Sequence, residues 1–151
     1  MTPERHKKET KFSESVIFVL YRDGKVLLER RPTNDTGYPG LLIVPGGKCE
    51  NDETPRETLK REMEEELGLT EKGRIRFLGS FRHKSLNGHK YFSMAYLITD
   101  FKGEIQNIEP EKGVHIWLPI EEALREARLG ATKYVLFIAR KKLNEVEPSR
   151  D

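Results

Sequence analysis

Glu62, Glu65 and Glu66 stand at positions i, i+3 and i+4 of the segment from Pro55 to Leu67, with Glu64 beside them. If that segment is helical, the three carboxylates crowd onto one face. Like charges at this spacing cost about 0.2–0.5 kcal/mol per pair, so the face either points into open water or is neutralised by cations. Carboxylate oxygens are hard ligands that suit Mg²⁺, with Mn²⁺ as the alternative. A solvated acidic face is the ordinary reading of a glutamate-rich helix, so the surrounding residues decide the matter.

The neighbours are specific. Arg61 lies beside the carboxylates, where a guanidinium can orient one of them through a forked, charge-assisted contact, and Glu53 is the expected partner. Gly46 and Gly47 permit sharp backbone geometry and close approach of a ligand to the main chain. Gly47, Glu53, Arg61, Glu62, Met63, Glu65, Glu66, Gly68 and Leu69 together satisfy the pattern G-x5-E-x7-R-E-U-x-E-E-x-G-U, with U a bulky apolar residue. From composition alone, such a match arises with a chance on the order of one in a million.

On these residues the chain resembles the Nudix family, whose box is this pattern. The resemblance implies that the carboxylates of Glu62, Glu65 and Glu66 and the main-chain carbonyl of Gly46 bind divalent metal. It also implies a further carboxylate from a later loop. The stretch Asn107 to Lys112 resembles that loop in MutT-like members, and Glu109 is the candidate ahead of Glu111. The catalytic set is therefore Glu53, Arg61, Glu62, Glu65, Glu66 and Glu109, with Glu62 and Glu109 both open as the base.

The implied reaction is metal-dependent hydrolysis of a pyrophosphate linkage in a nucleoside diphosphate joined to another moiety. A nucleoside triphosphate, cut to monophosphate and pyrophosphate, is the expected substrate, with ADP-ribose or a dinucleoside polyphosphate as runner-up. A non-catalytic nucleotide sensor is the reading from another class, set against the intact box. Action on an RNA 5′ end is disfavoured by the lack of a basic stripe. No G-x-x-x-x-G-K-[ST] loop accompanies Gly46-Gly47-Lys48, which argues against a P-loop nucleotide hydrolase.

Base recognition calls for aromatic faces and a few polar groups. Tyr38, Phe81, His83, Phe92 and Trp117 are the ring candidates for substrate contact, and Arg30, Arg31, Arg82 and Lys84 are the cations that could reach phosphates; of these, Arg30, Tyr38, Phe81 and Trp117 are taken as the substrate set. Trp117 follows the acidic loop much as a tryptophan does in MutT-like pyrophosphatases. His83 and His89 have no companion at metal-ligand spacing and are assigned no chemistry. Cys49 reads as a small packed residue.

The elements that must position these groups can be read as well. Thr54-Pro55-Arg56-Glu57 combines a cap residue, a proline in the first helical position and a glutamate that completes a capping box; Gly68 is the stop. Ser15 to Tyr21 and Lys25 to Arg30 are β-rich and joined through Asp23-Gly24, a hairpin signal. Pro32 to Gly40 is a loop before the apolar run Leu41 to Val44, which Pro45-Gly46-Gly47 should end. Strands are expected over Arg74 to Phe81, Lys90 to Thr99 and Val114 to Leu118, and helices over Ile120 to Ala127 and Thr132 to Leu143. The expected fold is the Nudix α/β/α sandwich, a mixed β-sheet between the glutamate-bearing helix and the C-terminal helices.

With 151 residues the chain fits one domain, expected over 13–145, with a flexible N-terminal arm over 1–12 and a polar tail over 146–151. A net charge of +2 offers no broad field for duplex nucleic acid, so the expected partner is a small-molecule nucleotide. One cysteine, no export leader and no apolar run near the roughly 20 residues of a membrane span point to cytoplasmic residence. Monomer and homodimer both remain open.

Overall fold

The computed structural model describes residues 11–70 and 73–145, so most of the expected arm and all of the tail lie outside the described residues. Strand β1 (Ser13–Arg22) returns as β2 (Lys25–Arg30) through Asp23 and Gly24, whose φ values are 53° and 79°. Two successive positive φ angles match the right-handed twist of the flanking strands, which is why Asp-Gly closes the hairpin. Phe12, assigned to the arm by sequence, lies 5.2 Å beneath the guanidinium of Arg82.

The remaining elements are β3 (Leu42–Ile43), β4 (Gly46–Lys48), helix α1 (Pro55–Leu67), β5 (Arg74–Lys84), β6 (Lys90–Thr99), a 3₁₀ turn at Pro110–Lys112, β7 (Val114–Pro119), α2 (Ile120–Glu126) and α3 (Gly130–Asn144). The sheet is mixed: β1 runs parallel to β6, while β5 pairs antiparallel with β6, and β3 and β7 pair antiparallel with β2. β1 changes partner on its other edge. Its first half pairs with β4, Ser15 opposite Lys48 and Ile17 opposite Gly46, and its last residues pair with β2.

That exchange departs from the sequence reading, in which Pro45-Gly46-Gly47 only terminates a strand. The strand before it is just Leu42–Ile43, and Gly46–Lys48 is a strand of its own. The physical reason is room: a Cβ on Gly46 would run into the backbone carbonyl of Val16, so only glycine lets β4 close onto β1.

Side-chain alternation in β1 builds both sides of the core. Val16, Phe18 and Leu20 face one way, into a cluster with Leu59, Met63, Leu67 and Leu69 from α1 and its exit. Val19 faces the other way, into a cluster with Val135, Leu136 and Ala139 of α3 and Ala123 of α2. The result is the α/β/α sandwich, with α1 on one face and α2 and α3 on the other. Each fully buried Leu, Val, Phe or Met side chain contributes ~1.5–3 kcal/mol, which anchors α1 despite its polar composition.

Candidate active site

Helix α1 begins as its sequence dictates. The Thr54 hydroxyl oxygen accepts from the Glu57 amide, the Glu57 carboxylate accepts from the Thr54 amide, and Gly68 ends the helix at φ 66°. The capping exchange and the apolar residues Leu59, Met63 and Leu67 set the rotation of the helix, which places Glu62 and Glu66 against the sheet. These two carboxylates are 6% and 7% exposed, whereas the Glu65 side chain is 53% exposed. Gly47 makes room for them: a Cβ there would collide with the Glu62 carboxyl group.

Arg61 organises the entrance to this cluster. Its Nε and Nη2 donate to the two oxygens of Glu53 at 2.7 and 2.9 Å, and Nη2 also donates to the Lys48 carbonyl at 3.0 Å. Nη1 donates to Glu62 at 2.8 Å and to Glu65 at 3.1 Å. The fork holds the Glu53 carboxyl down at about 2. One guanidinium thus ties the β4 backbone, the residue before the helix and two helix carboxylates into a single unit.

Deeper in, negative charge accumulates. Burial pushes Glu66 up to about 8, helped by the neighbouring charges of Glu62 and Glu29, and burial also raises Glu62 and Glu29. Glu29 comes from β2. The loop after β6 brings another carboxylate: the amides of Gln106 and Ile108 donate to the carbonyls of Leu67 and Glu66, so the loop runs across the end of α1. It delivers Glu109 and Lys112, whose ammonium lies 3.3 Å from Glu109 Oε2 and 3.5 Å from Glu66 Oε1. Glu109 Oε1 is buried without a hydrogen-bond partner, while Glu111 is exposed.

Among the described residues no three acidic, histidine or cysteine side chains converge as a finished metal cage. Arg61 and Lys112 are the cations paired with these carboxylates. The donor set still fits a hard divalent cation, since every group is a carboxylate or carbonyl oxygen and burial leaves the carboxylates in need of positive charge.

A cavity of about 360 Å³ adjoins Glu66, where β1 exchanges β4 for β2. Ser15, Ile17, Gly46, Gly47 and Lys48 form one wall, with Glu29, Arg31, Tyr38, His83, Tyr91 and Lys112 among the others. Its volume falls within the ~300–1,000 Å³ of small-molecule pockets. Arg31 donates to Glu29 at 3.2 Å and to Asp35 at 2.9 Å, and its Nε is buried without a partner. Burial pushes Tyr38 up to about 12. The His83 ring stacks on Tyr91 at 5.3 Å and its Nε2 lies 2.7 Å from Ser93 Oγ, which is 2.5 Å from Ser15 Oγ.

The sequence-predicted substrate contacts divide. Tyr38 lines the cavity. Arg30 is exposed and donates to the Gly40 carbonyl, leaving Arg31 on the cavity wall. Phe81 packs edge-on against Tyr134 of α3, and Trp117 packs against the cluster beneath α1. His83, weighed as a ring candidate but left out of the substrate set, and Tyr91, which sequence did not single out, take positions that Phe81 and Trp117 do not. A usable signal existed: strand alternation puts Glu29 and Arg31 on the same face as the buried Leu27, an unusual place for charge.

The NUDIX domain model matches residues 11–138, so the chain belongs to the Nudix family. It is a MutT-like hydrolase of pyrophosphate linkages. The chain is 34% identical over 115 residues to the CTP pyrophosphohydrolase of Escherichia coli K12, covering 76% of this chain and 82% of that protein. It is 26% identical to diphosphoinositol polyphosphate phosphohydrolase 3-beta of Bos taurus, covering 97% of this chain and 89% of the relative. The MutT NUDIX hydrolase structure from Burkholderia pseudomallei superposes with a TM-score of 0.70 at 28% identity, covering 83% of this chain and 95% of that one. No helix among the described residues is long and apolar enough to cross a membrane.

Proposed function

We propose that the chain hydrolyses a nucleoside triphosphate to its monophosphate and pyrophosphate, with cytidine nucleotides the first candidates. The observation that carries this reading is the cavity with Glu66 and the Gly46-Gly47 backbone at its edge and Tyr38, His83 and Tyr91 among its walls. That combination suits a ligand with a polyphosphate at one end and a flat base at the other. The name of the E. coli relative supports a cytidine nucleotide.

Glu62, Glu65, Glu66 and the Gly46 carbonyl are the groups that would hold Mg²⁺, or Mn²⁺ in its place. The bound ion supplies charge neutralisation at the polyphosphate and a more acidic water. Arg61 keeps Glu53, Glu62 and Glu65 aligned through its fork, a positioning role. Of the two open candidates for the base, Glu109 is favoured, because Glu62 is engaged by Arg61 whereas Glu109 Oε1 has no partner. Glu109 accepts the proton of the attacking water, and Lys48 and Lys112 meet phosphate oxygens along the cavity wall. Tyr38 and Tyr91 hold the base by contact with their ring faces.

Product analysis over CTP, dCTP, the other nucleoside triphosphates, ADP-ribose, dinucleoside polyphosphates and a diphosphoinositol polyphosphate tests the proposal. Monophosphate and pyrophosphate from a cytidine nucleotide, abolished by chelator, is the expected result. Turnover confined to a non-nucleotide, or tight nucleotide binding without turnover, would replace it.

A further inference from the structure

The two cations of the carboxylate cluster are held in different ways. Arg61 belongs to α1 and is locked by close, directional bonds to Glu53, Glu62, Glu65 and the Lys48 carbonyl. Lys112 comes from the 3₁₀ turn near the end of the loop that crosses α1. Its ammonium stands between Glu66 and Glu109 at 3.5 and 3.3 Å, and its side chain is 41% exposed. An ammonium is a point charge on a flexible stem, with no fixed fork to hold it in place. It also lines the cavity beside the carboxylates, so it has somewhere to go.

Glu66 is among the oxygens a divalent ion would gather and Glu109 is the base beside it, so an ammonium between the two stands in that ion's way. A dication and an ammonium at contact distance repel strongly in a partly buried site. We propose that Lys112 is a tethered counter-cation of the metal site: it holds Glu66 and Glu109 while the metal is away, and entry of the metal displaces it into the cavity, where a substrate phosphate receives it. This rests on the metal ligands named under the proposed function.

Two consequences follow. The metal competes with an intramolecular cation, so its affinity is lower than the carboxylates alone would give. A polyphosphate in the cavity offers the displaced ammonium a partner, so metal and nucleotide favour each other's binding, reciprocally. The device keeps Glu66 and Glu109 partnered between turnovers and makes full metal occupancy depend on substrate.

The test measures Mn²⁺ binding to the full chain without nucleotide, by titration calorimetry and electron paramagnetic resonance. Lys112→Met should bind Mn²⁺ about tenfold more tightly than the unaltered chain, Lys112→Gln should do the same, and Lys112→Arg, whose fork grips the carboxylates, should bind it no more tightly. Amine-directed labelling read by mass spectrometry should modify Lys112 several-fold faster with saturating Mn²⁺ than with chelator. Equal or weaker Mn²⁺ binding by both neutral variants overturns the proposal, as does labelling indifferent to Mn²⁺. A chain that binds no Mn²⁺ overturns the metal ligands as well. Lys112-dependent Mn²⁺ binding without nucleotide turnover upholds this inference and sinks only the proposed reaction.

Discussion

Helices α1 and α3 pack on opposite faces of one sheet with 13 and 15 residues, yet they follow different rules. α3 buries Thr132, Val135, Leu136 and Ala139 and carries Lys141 and Lys142 in its last turn, where the helix dipole favours positive charge. α1 buries Glu62 and Glu66 beside Leu59, Met63 and Leu67, and has no basic residue in its last turn. Its glutamates stand where the dipole favours cations, and two of them are largely out of water. α3 is built for stability, whereas α1 gives some up for a carboxylate site and recovers it through its capping box, its apolar stripe and Arg61.

The sharpest way to probe this contrast is Glu66→Gln. Metal-dependent turnover should fall by roughly 10³-fold, comparable to the loss of one preorganised electrostatic group, while the metal-free fold melts no lower at neutral pH. A Glu66→Gln chain with undiminished turnover would break the comparison, because α1 would then be an ordinary acidic helix. The reciprocal variant on the other face, Leu136→Ala, should cost about 2–5 kcal/mol by denaturant unfolding. Its turnover per folded molecule should stay within about twofold, since Leu136 is not among the residues that line the cavity. Arg61→Lys keeps the charge and removes the fork, so kcat should drop about 10²-fold with KM less affected. Equal rates for lysine and arginine there would mean that charge alone suffices.

The smallest effect concerns pH. In the chelated protein the Glu66 carboxyl is raised from 4.5 to about 8, so across that window the fold keeps a proton that the unfolded chain has released. The unfolded chain binds fewer protons, and stability must fall as pH rises from 4.5 to 8, by ~1–3 kcal/mol. Glu66→Gln should flatten that slope. Glu53, lowered to about 2, acts in the opposite direction, and its contribution disappears only as pH falls below 4.5 toward 2. Thermal unfolding of the chelated protein at pH 5 and pH 9 reads the first effect, and a level profile would refute it.

How much of this was legible beforehand depends on distance along the chain. The box, the helix limits at Pro55 and Leu67, and the Asp23-Gly24 turn could be read because each rests on residues within a few positions of one another. The run from Val16 to Tyr21 reads as a strand, but its alternation into two separate cores appears only once helices cover both faces. The second strand at Gly46–Lys48 is not legible locally because its partner, Ser15 to Ile17, lies about thirty residues earlier in the chain.

The site divides along the same line. Sequence by itself determined a glutamate-bearing helix and the arginine that can pin its carboxylates, since helical periodicity converts spacing directly into a shared face. Tertiary structure alone decided that Arg31 rather than Arg30 faces the cavity, that His83 and Tyr91 line it while Phe81 and Trp117 pack elsewhere, and that Lys112 reaches Glu66 from nearly fifty residues away. These groups arrive from separate strands and a loop pinned across the end of α1. Which of them meet depends on strand register and loop closure, quantities that no local pattern of residues encodes.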